Sequence, residues 1–443
     1  MATFAKTAYD AAAYSSFRPV YPPRLYDTIW AFHKAGLAAR KRSSTQSSGG
    51  DEVIRNSLGW QRAVDLGCGT GQATVEIAAR FEETIGVDPS SKMIQQATQM
   101  LSRQSVGTST NVNTNPVVTE EGAGVRGGNL RYHQAAAEDL SFLEDRSVDF
   151  VSAAQAVHWF DYSKLWKEID RVLRPGGTVA FWGYSEFRVR HYPQLTPLIT
   201  YYSQGSNPTR IQQAVIARNL HLRFSPSTTG GKQGEESTDM SSSSSPSLRV
   251  PSEPESLSAY WEQPGRAILD GGLVAVPHPS TLLPLPFHDN EKDEADDRAE
   301  GSKYESKVAL FSGDYRPDVL EAFETIQRES QEGVRGKRGP TMTIESEDVV
   351  LVKEMDWVAL EKYFRTWSSY ATYLEAFPEE KARRVALESE AGVGGVGEGD
   401  IVNRFLSKLK REVGTIGGIE EGSPERLVVE WPLALLLYRK RSE

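Results

Sequence analysis

AVDLGCGTG, residues 63–71, is the stretch on which the reading of this chain turns. A short apolar run carries Asp65, and Gly67, Gly69 and Gly71 then fall at every second position. QATVEIAAR, residues 72–80, follows with helical spacing, and the strand-like run at 84–87 ends in Asp88. An apolar strand, a glycine turn, a helix and a second strand ending in a carboxylate make a nucleotide-binding βαβ unit. Its glycines let a ligand lie against bare backbone, and its second carboxylate can hold two ribose hydroxyls. A dinucleotide fingerprint would place its third glycine at position 72, which here is Gln72.

Further strand-like runs follow at 130–133, 148–153 and 178–183, with helical spacing between them at 90–102 and 163–173, and a further helix precedes the first strand at 27–40. Pro175, Gly176 and Gly177 are expected to turn the chain into the fifth strand. Strands are also expected at 346–354 and 426–438, with Pro432 disrupting the pairing of the last, and a helical pattern runs over 357–377. The alternation predicts an α/β fold: a Rossmann-like, seven-stranded, mostly parallel sheet with helices on both faces. Residues 1–183 are expected to form an N-terminal lid and the cofactor-binding core, 184–340 an inserted cap, and 341–443 the strands and helices that complete the sheet.

Acidic residues outnumber basic ones by 60 to 50 and are spread widely, giving a net charge of −10, so no nucleic-acid partner is expected. Stretches biased toward Ser, Gly, Thr, Asn or acidic residues at 40–51, 104–128, 225–258, 288–306 and 388–400 read as solvated insertions. Cys68 stands alone, which excludes a disulfide and a multi-thiolate zinc site, and no histidines are spaced as a metal cluster. The apolar run at 433–437 is too short to span a bilayer, and the first residues carry no signal pattern. A cytoplasmic protein without a membrane partner is expected.

The G-x-G-x-G turn at Gly67, Gly69 and Gly71 resembles the first motif of class I S-adenosylmethionine-dependent methyltransferases. The resemblance implies S-adenosylmethionine as cofactor. Asp65 would help hold its amino group, Asp88 its ribose diol, and Ala137 and Glu138 its adenine, with Gln155 at the fourth strand's end. The Ala137-Glu138 turn and Gln72 argue against a nicotinamide-linked dehydrogenase. Narrower stretches, YSSFRPVYP at 14–22, AVHWFD at 156–161, YWEQPGR at 260–266 and RTWSSY at 365–370, are similar to the fungal small-molecule methyltransferases typified by trans-aconitate methyltransferase. In that group the N-terminal segment, with Tyr9, Tyr14 and Tyr21 here, folds over the cofactor as a lid.

Methyl transfer to a carboxylate oxygen of a small organic acid, giving a methyl ester, is the activity expected. Such an acid is already ionised at neutral pH and needs a cation to orient it rather than a base. Arg18, Arg266 and Arg365 are the candidate cations, with Tyr21, His158, Trp159, Trp261 and Trp367 as further substrate-contacting residues. If the acceptor were a hydroxyl, His158 could serve as general base instead of walling the pocket. A non-catalytic cofactor-binding protein is the remaining alternative.

Overall fold

A computed structural model describes residues 17–43, 59–106, 129–206, 255–283, 304–311, 342–347, 351–384, 399–417 and 424–441. Most of the composition-biased stretches, together with Tyr9 and Tyr14, lie outside the described residues.

The chain begins with helix α1 (Pro23–Ser43) and continues through β1 (Arg62–Leu66), α2 (Gln72–Ala78), β2 (Glu83–Asp88), α3 (Ser91–Val106) and β3 (Leu130–Gln134). It then forms β4 (Val148–Ala154), α4 (Tyr162–Val172) and β5 (Leu173–Tyr184). β1 pairs in parallel with β2 and β4, β2 with β3, and β4 with β5. The chain therefore runs outward from β1 to β3 and returns to the other side of β1. Between β1 and β4 lies a topological switch point, where open α/β sheets hold their ligands at the carboxyl ends of the strands.

Past β5 come β6 (Arg188–Val189), α5 (Thr196–Gln204), α6 (Gly265–Asp270), β7 (Tyr304–Phe311), β8 (Met342–Glu347) and β9 (Leu351–Asp356). The chain closes with α7 (Trp357–Arg365), α8 (Ser368–Ala376), α9 (Glu380–Arg383), α10 (Ile401–Gly417), β10 (Arg426–Trp431) and β11 (Leu433–Lys440). The main sheet has the order β3-β2-β1-β4-β5-β11-β7-β8, with β11 antiparallel to both its neighbours. Seven of these strands correspond to the mostly parallel sheet expected, and β8 adds an eighth at the edge.

The period of two along the strands divides the core. Ala63, Phe150, Trp182, Leu435 and Leu437 join α1 and α2 on one face, whereas Val64, Val151, Phe181, Leu436 and Tyr438 join α4 on the other.

Several expectations are corrected. The 346–354 run is not one strand: its ends belong to β8 and β9, which lie in different sheets. Likewise 426–438 divides at Pro432 into β10, in a three-stranded sheet with β6 and β9, and β11 in the main sheet. Pro432 has no N–H for a ladder, and the change of sheet falls where pairing must lapse. The 357–377 helix breaks at Trp367, whose backbone is extended (φ −73°, ψ 136°). Pro175 to Gly177 form an irregularity within β5 rather than a turn before it: Leu173 already pairs with Val148, and pairing resumes at Thr178 with Phe150. Finally, β7 lies inside the 184–340 segment yet pairs with β11, so that segment is not wholly a cap.

Asp149 secures the amino end of the two central strands. Its Oδ2 accepts the Gln61 and Arg62 N–H groups at 3.1 and 3.2 Å and the Arg174 Nη1 at 2.8 Å. The carboxylate is almost completely buried. Asp149→Ala should lower the unfolding free energy by about 3 kcal/mol, because buried donors lose a charged acceptor. Urea unfolding at neutral pH checks this.

Candidate active site

The glycine turn is stitched to β2 by two hydrogen bonds. The Cys68 N–H donates to the Val87 carbonyl at 3.0 Å, and the Gly69 N–H to Asp88 Oδ2 at 2.9 Å. The other oxygen, Asp88 Oδ1, accepts the Ser90 N–H at 2.8 Å. Gly69 has φ +56°, and a Cβ built on it meets nothing within 4 Å: this is bare backbone facing open space. Gly67, at φ +64°, is glycine for another reason, since its Cβ would press on the Ala156 Cβ at 2.5 Å. Gly71 caps α2 and packs against the Tyr132 hydroxyl.

A cleft opens at this switch point. Gly67, Cys68, Gly69, Thr70 and Asp88 line one part, with Pro89, Ser90 and Met93 continuing from Asp88 and Phe160 beside the turn. Burial pushes the Asp88 pKa up, while its two backbone N–H bonds pull it back. Each carboxylate oxygen accepts one of those backbone bonds and retains lone-pair capacity, enough to take a vicinal diol.

Other expected cofactor residues sit elsewhere. Asp65 is fully buried beneath the turn, where its oxygens accept the Thr74 hydroxyl at 2.7 Å and the Ser152 hydroxyl at 2.8 Å; it does not line the cleft. Ala137 is buried off the cleft, and Glu138 accepts the Asp161 N–H at 2.7 Å, bracing the start of α4. Gln155 does line the cleft, but its amide is committed to β5: Nε2 donates to the Tyr184 carbonyl at 3.0 Å and Oε1 accepts the Tyr184 N–H at 2.7 Å.

The rest of the cleft is assembled from distant segments. Arg18, Tyr21, His158, Trp159, Trp261, Arg266 and Trp367 all line it, as expected. Arg18 donates from Nη1 to the Tyr184 hydroxyl and from Nη2 to the Thr366 carbonyl, both at 3.1 Å. The Arg266 guanidinium lies 4.2 Å from the Trp261 ring centroid, and its Nε donates to Asp270 Oδ2 at 2.6 Å. Its Nη2 is buried and has no hydrogen-bond partner among the described residues. Burial, followed by the charges of Arg266 and Arg18, lowers the His158 pKa to about 3, so the ring is neutral at physiological pH.

Arg365 is corrected. Instead of reaching the cleft, it is buried in a cluster with Glu361 at 2.6 Å, Asn403 at 3.2 Å, Asp400 and Tyr370. Conversely, Tyr184, Glu186, Glu262 and Tyr363 line the cleft and were not singled out from sequence. Glu186 follows the end of β5 by two residues, and strand carboxyl ends are where such sheets gather functional groups. Burial and the Asp270 charge push its pKa up, against Arg266 and the hydroxyls of Ser203 and Thr200.

Residues 64–181 match the family described as a methyltransferase domain. That segment is a methyltransferase domain. The chain is 31% identical over 197 residues to the "Probable S-adenosylmethionine-dependent methyltransferase CRG1" of Saccharomyces cerevisiae, an alignment covering 44% of this chain and 52% of the yeast protein. An uncharacterized methyltransferase of Mycobacterium tuberculosis is 28% identical over 188 residues, covering 42% of this chain and 56% of its own. Trans-aconitate 2-methyltransferase of Deinococcus radiodurans is 30% identical over 125 residues, covering 27% and 37%. The chain spans about half the length of the curated relatives it matches. The domain's cofactor is S-adenosylmethionine. The donor end of the cleft fits it, with bare backbone at Gly69, diol-accepting capacity at Asp88 and apolar surface at Met93 and Phe160.

Gly69→Ala should cost about 1 kcal/mol in backbone strain while weakening S-adenosylhomocysteine binding about tenfold or more in calorimetry. Gly67→Ala, by contrast, should lower thermal stability through the Ala156 contact. Asp65 offers a test by pH. Burial raises its pKa to about 6, the Thr74 and Ser152 hydroxyls opposing the shift. The folded state therefore holds this proton more tightly than the unfolded chain, and stability is lost as pH rises from about 4 to about 6. The stability difference between wild type and Asp65→Asn should fall by about 3 kcal/mol over that window and stay flat above it. Denaturant titrations across the range measure it.

Proposed function

We propose that the chain transfers the methyl group of S-adenosylmethionine to a carboxylate oxygen of a small organic acid, giving a methyl ester. The observation that carries this reading is Arg266, a cleft-lining residue whose buried Nη2 lacks a protein acceptor among the described residues. A planar carboxylate is the natural complement to such a fork. Arg18 supplies a second guanidinium on the same cleft.

The bound cofactor supplies an electrophilic methyl on a positively charged sulfur, which departs as a neutral thioether. Gly69 and Asp88 would hold the cofactor at the donor end. Arg18 and Arg266 would orient the acid, and Tyr21, Trp159, Trp261 and Trp367 would exclude water around it. An ionised acid brings its own lone pair, so no proton has to move. That requirement suits His158, which at a pKa of about 3 is a weak base and serves better as a wall. A hydroxyl acceptor would need a stronger base than His158 offers, and this favours the carboxylate.

With labelled cofactor and a panel of small carboxylic acids that includes trans-aconitate, methyl ester should appear in mass spectrometry. Turnover of no acid would overturn the reading. Arg266→Ala should raise KM for the acid about tenfold or more with S-adenosylhomocysteine affinity unchanged. Arg365→Ala should instead lower the melting temperature, because it leaves the Glu361 and Asp400 carboxylates buried without their cation.

A further inference from the structure

Resting on the carboxylate reading above, the charges around the acceptor end of the cleft narrow the acid. Two guanidiniums, Arg18 and Arg266, line that end, and so do two carboxylates, Glu186 and Glu262. A third carboxylate, Asp270, is already paired with Arg266 at 2.6 Å. Carboxylates thus outnumber guanidiniums. One incoming carboxylate can be met by Arg266, whose Nη2 has no acceptor among the described residues, and by Arg18, but further negative charge would meet Glu186 and Glu262.

Glu186 is the better built of the two. From α5, the Thr200 hydroxyl donates to its Oε2 at 2.6 Å and the Ser203 hydroxyl donates to its Oε1. One donor on each oxygen fixes the carboxylate plane and leaves lone-pair capacity on both oxygens. Ser203 is in turn anchored, because its carbonyl accepts the Trp261 Nε1–H at 2.7 Å. The wall that stacks on Arg266 and the hydroxyl that holds Glu186 are therefore one connected unit. Cation and anion are presented together in fixed relation, which suits a ligand bearing both an acid and a hydrogen-bond donor.

We infer that Glu186 is the specificity-determining residue of the acceptor site. It accepts a hydrogen bond from a hydroxyl or ammonium group on an acceptor that carries a single carboxylate. Hydroxy- and amino-monocarboxylates are thereby preferred, and polycarboxylates are disfavoured. A site built to accept a particular donor rejects the analogue lacking it, since the fixed carboxylate is then desolvated without return.

The test uses the full chain with acids in matched sets: a hydroxy- or amino-monocarboxylate, the same skeleton without the donor, and the same skeleton with a second carboxylate. Initial rates are measured with labelled cofactor, and acid binding by calorimetry on protein saturated with S-adenosylhomocysteine. Wild type should favour the first member about tenfold or more in both kcat/KM and Kd, the scale of one charge-assisted hydrogen bond. Glu186→Gln should collapse that preference and improve use of the dicarboxylate, whereas Glu186→Asp should keep its sign. If Glu186→Gln does not fold, the wild-type ratios and Glu186→Asp carry the test. Equal use of all three members, or a preference untouched by Glu186→Gln, overturns the role of Glu186 and leaves ester formation standing. Binding of S-adenosylhomocysteine with methylation of no acid overturns both.

Discussion

The Asp88 carboxylate is the contact on which the site depends. Its two oxygens each take a backbone N–H, one from Gly69 in the glycine turn and one from Ser90 at the start of α3. A single side chain at the end of β2 therefore fixes the loop after β1 and the helix after β2 together. Charge-assisted bonds in a mostly buried position are worth about 1.5–3 kcal/mol each, enough to hold two loops in one arrangement. The same carboxylate can also meet a ribose. On the proposed reading, positioning the turn and recognising the ligand would be one electrostatic feature, and a change at Asp88 would disturb both.

The acceptor end is held differently. Its rigidity comes from aromatic packing among residues far apart in the chain. Tyr21 meets Trp182 edge-on at 5.7 Å, Trp261 meets Trp367 at 5.2 Å, and the Trp431 Nε1–H donates to the Tyr363 hydroxyl at 2.8 Å. Rings with few rotamers bury much area at low entropic cost, so they make a stiff frame for the two arginines. Because α1 and α7 share the apolar cluster with β5 and β11, the cleft wall is continuous with the core. The donor end is local in sequence, whereas the acceptor end exists only once the sheet has closed.

This difference explains what could be read in the sequence. Gly67, Gly69 and Asp88 were legible because strand, turn and strand lie within one short βαβ unit whose geometry follows from spacing. Asp65 belongs to the same motif, but spacing does not reveal that Thr74 and Ser152 occupy its oxygens below the turn. Ala137 and Glu138 matched a pattern while their side chains were used elsewhere. Pro432 was recognised as a break, yet only the partner strands show that it separates two sheets. Nothing in the sequence marks Glu186 apart from its place after a strand. Its two hydroxyl donors, Thr200 and Ser203, are placed against it only by tertiary folding.

Arg266 and Arg365 sharpen the point, because the sequence presents them alike. Each stands beside aromatics and pairs with a carboxylate four residues away, Asp270 and Glu361 respectively. A guanidinium has five N–H donors, and buried donors are nearly always satisfied. Around Arg365, Glu361, Asp400, Asn403 and Tyr370 take donors from all three nitrogens, so the protein itself completes the arrangement. Around Arg266, Asp270 takes Nε, an indole covers the face, and Nη2 is left without a protein acceptor among the described residues. The first arrangement closes on itself and makes structure. The second leaves a buried donor without a protein acceptor among the described residues on a side chain that lines the cleft, and on the carboxylate reading proposed above an acid oxygen would complete it.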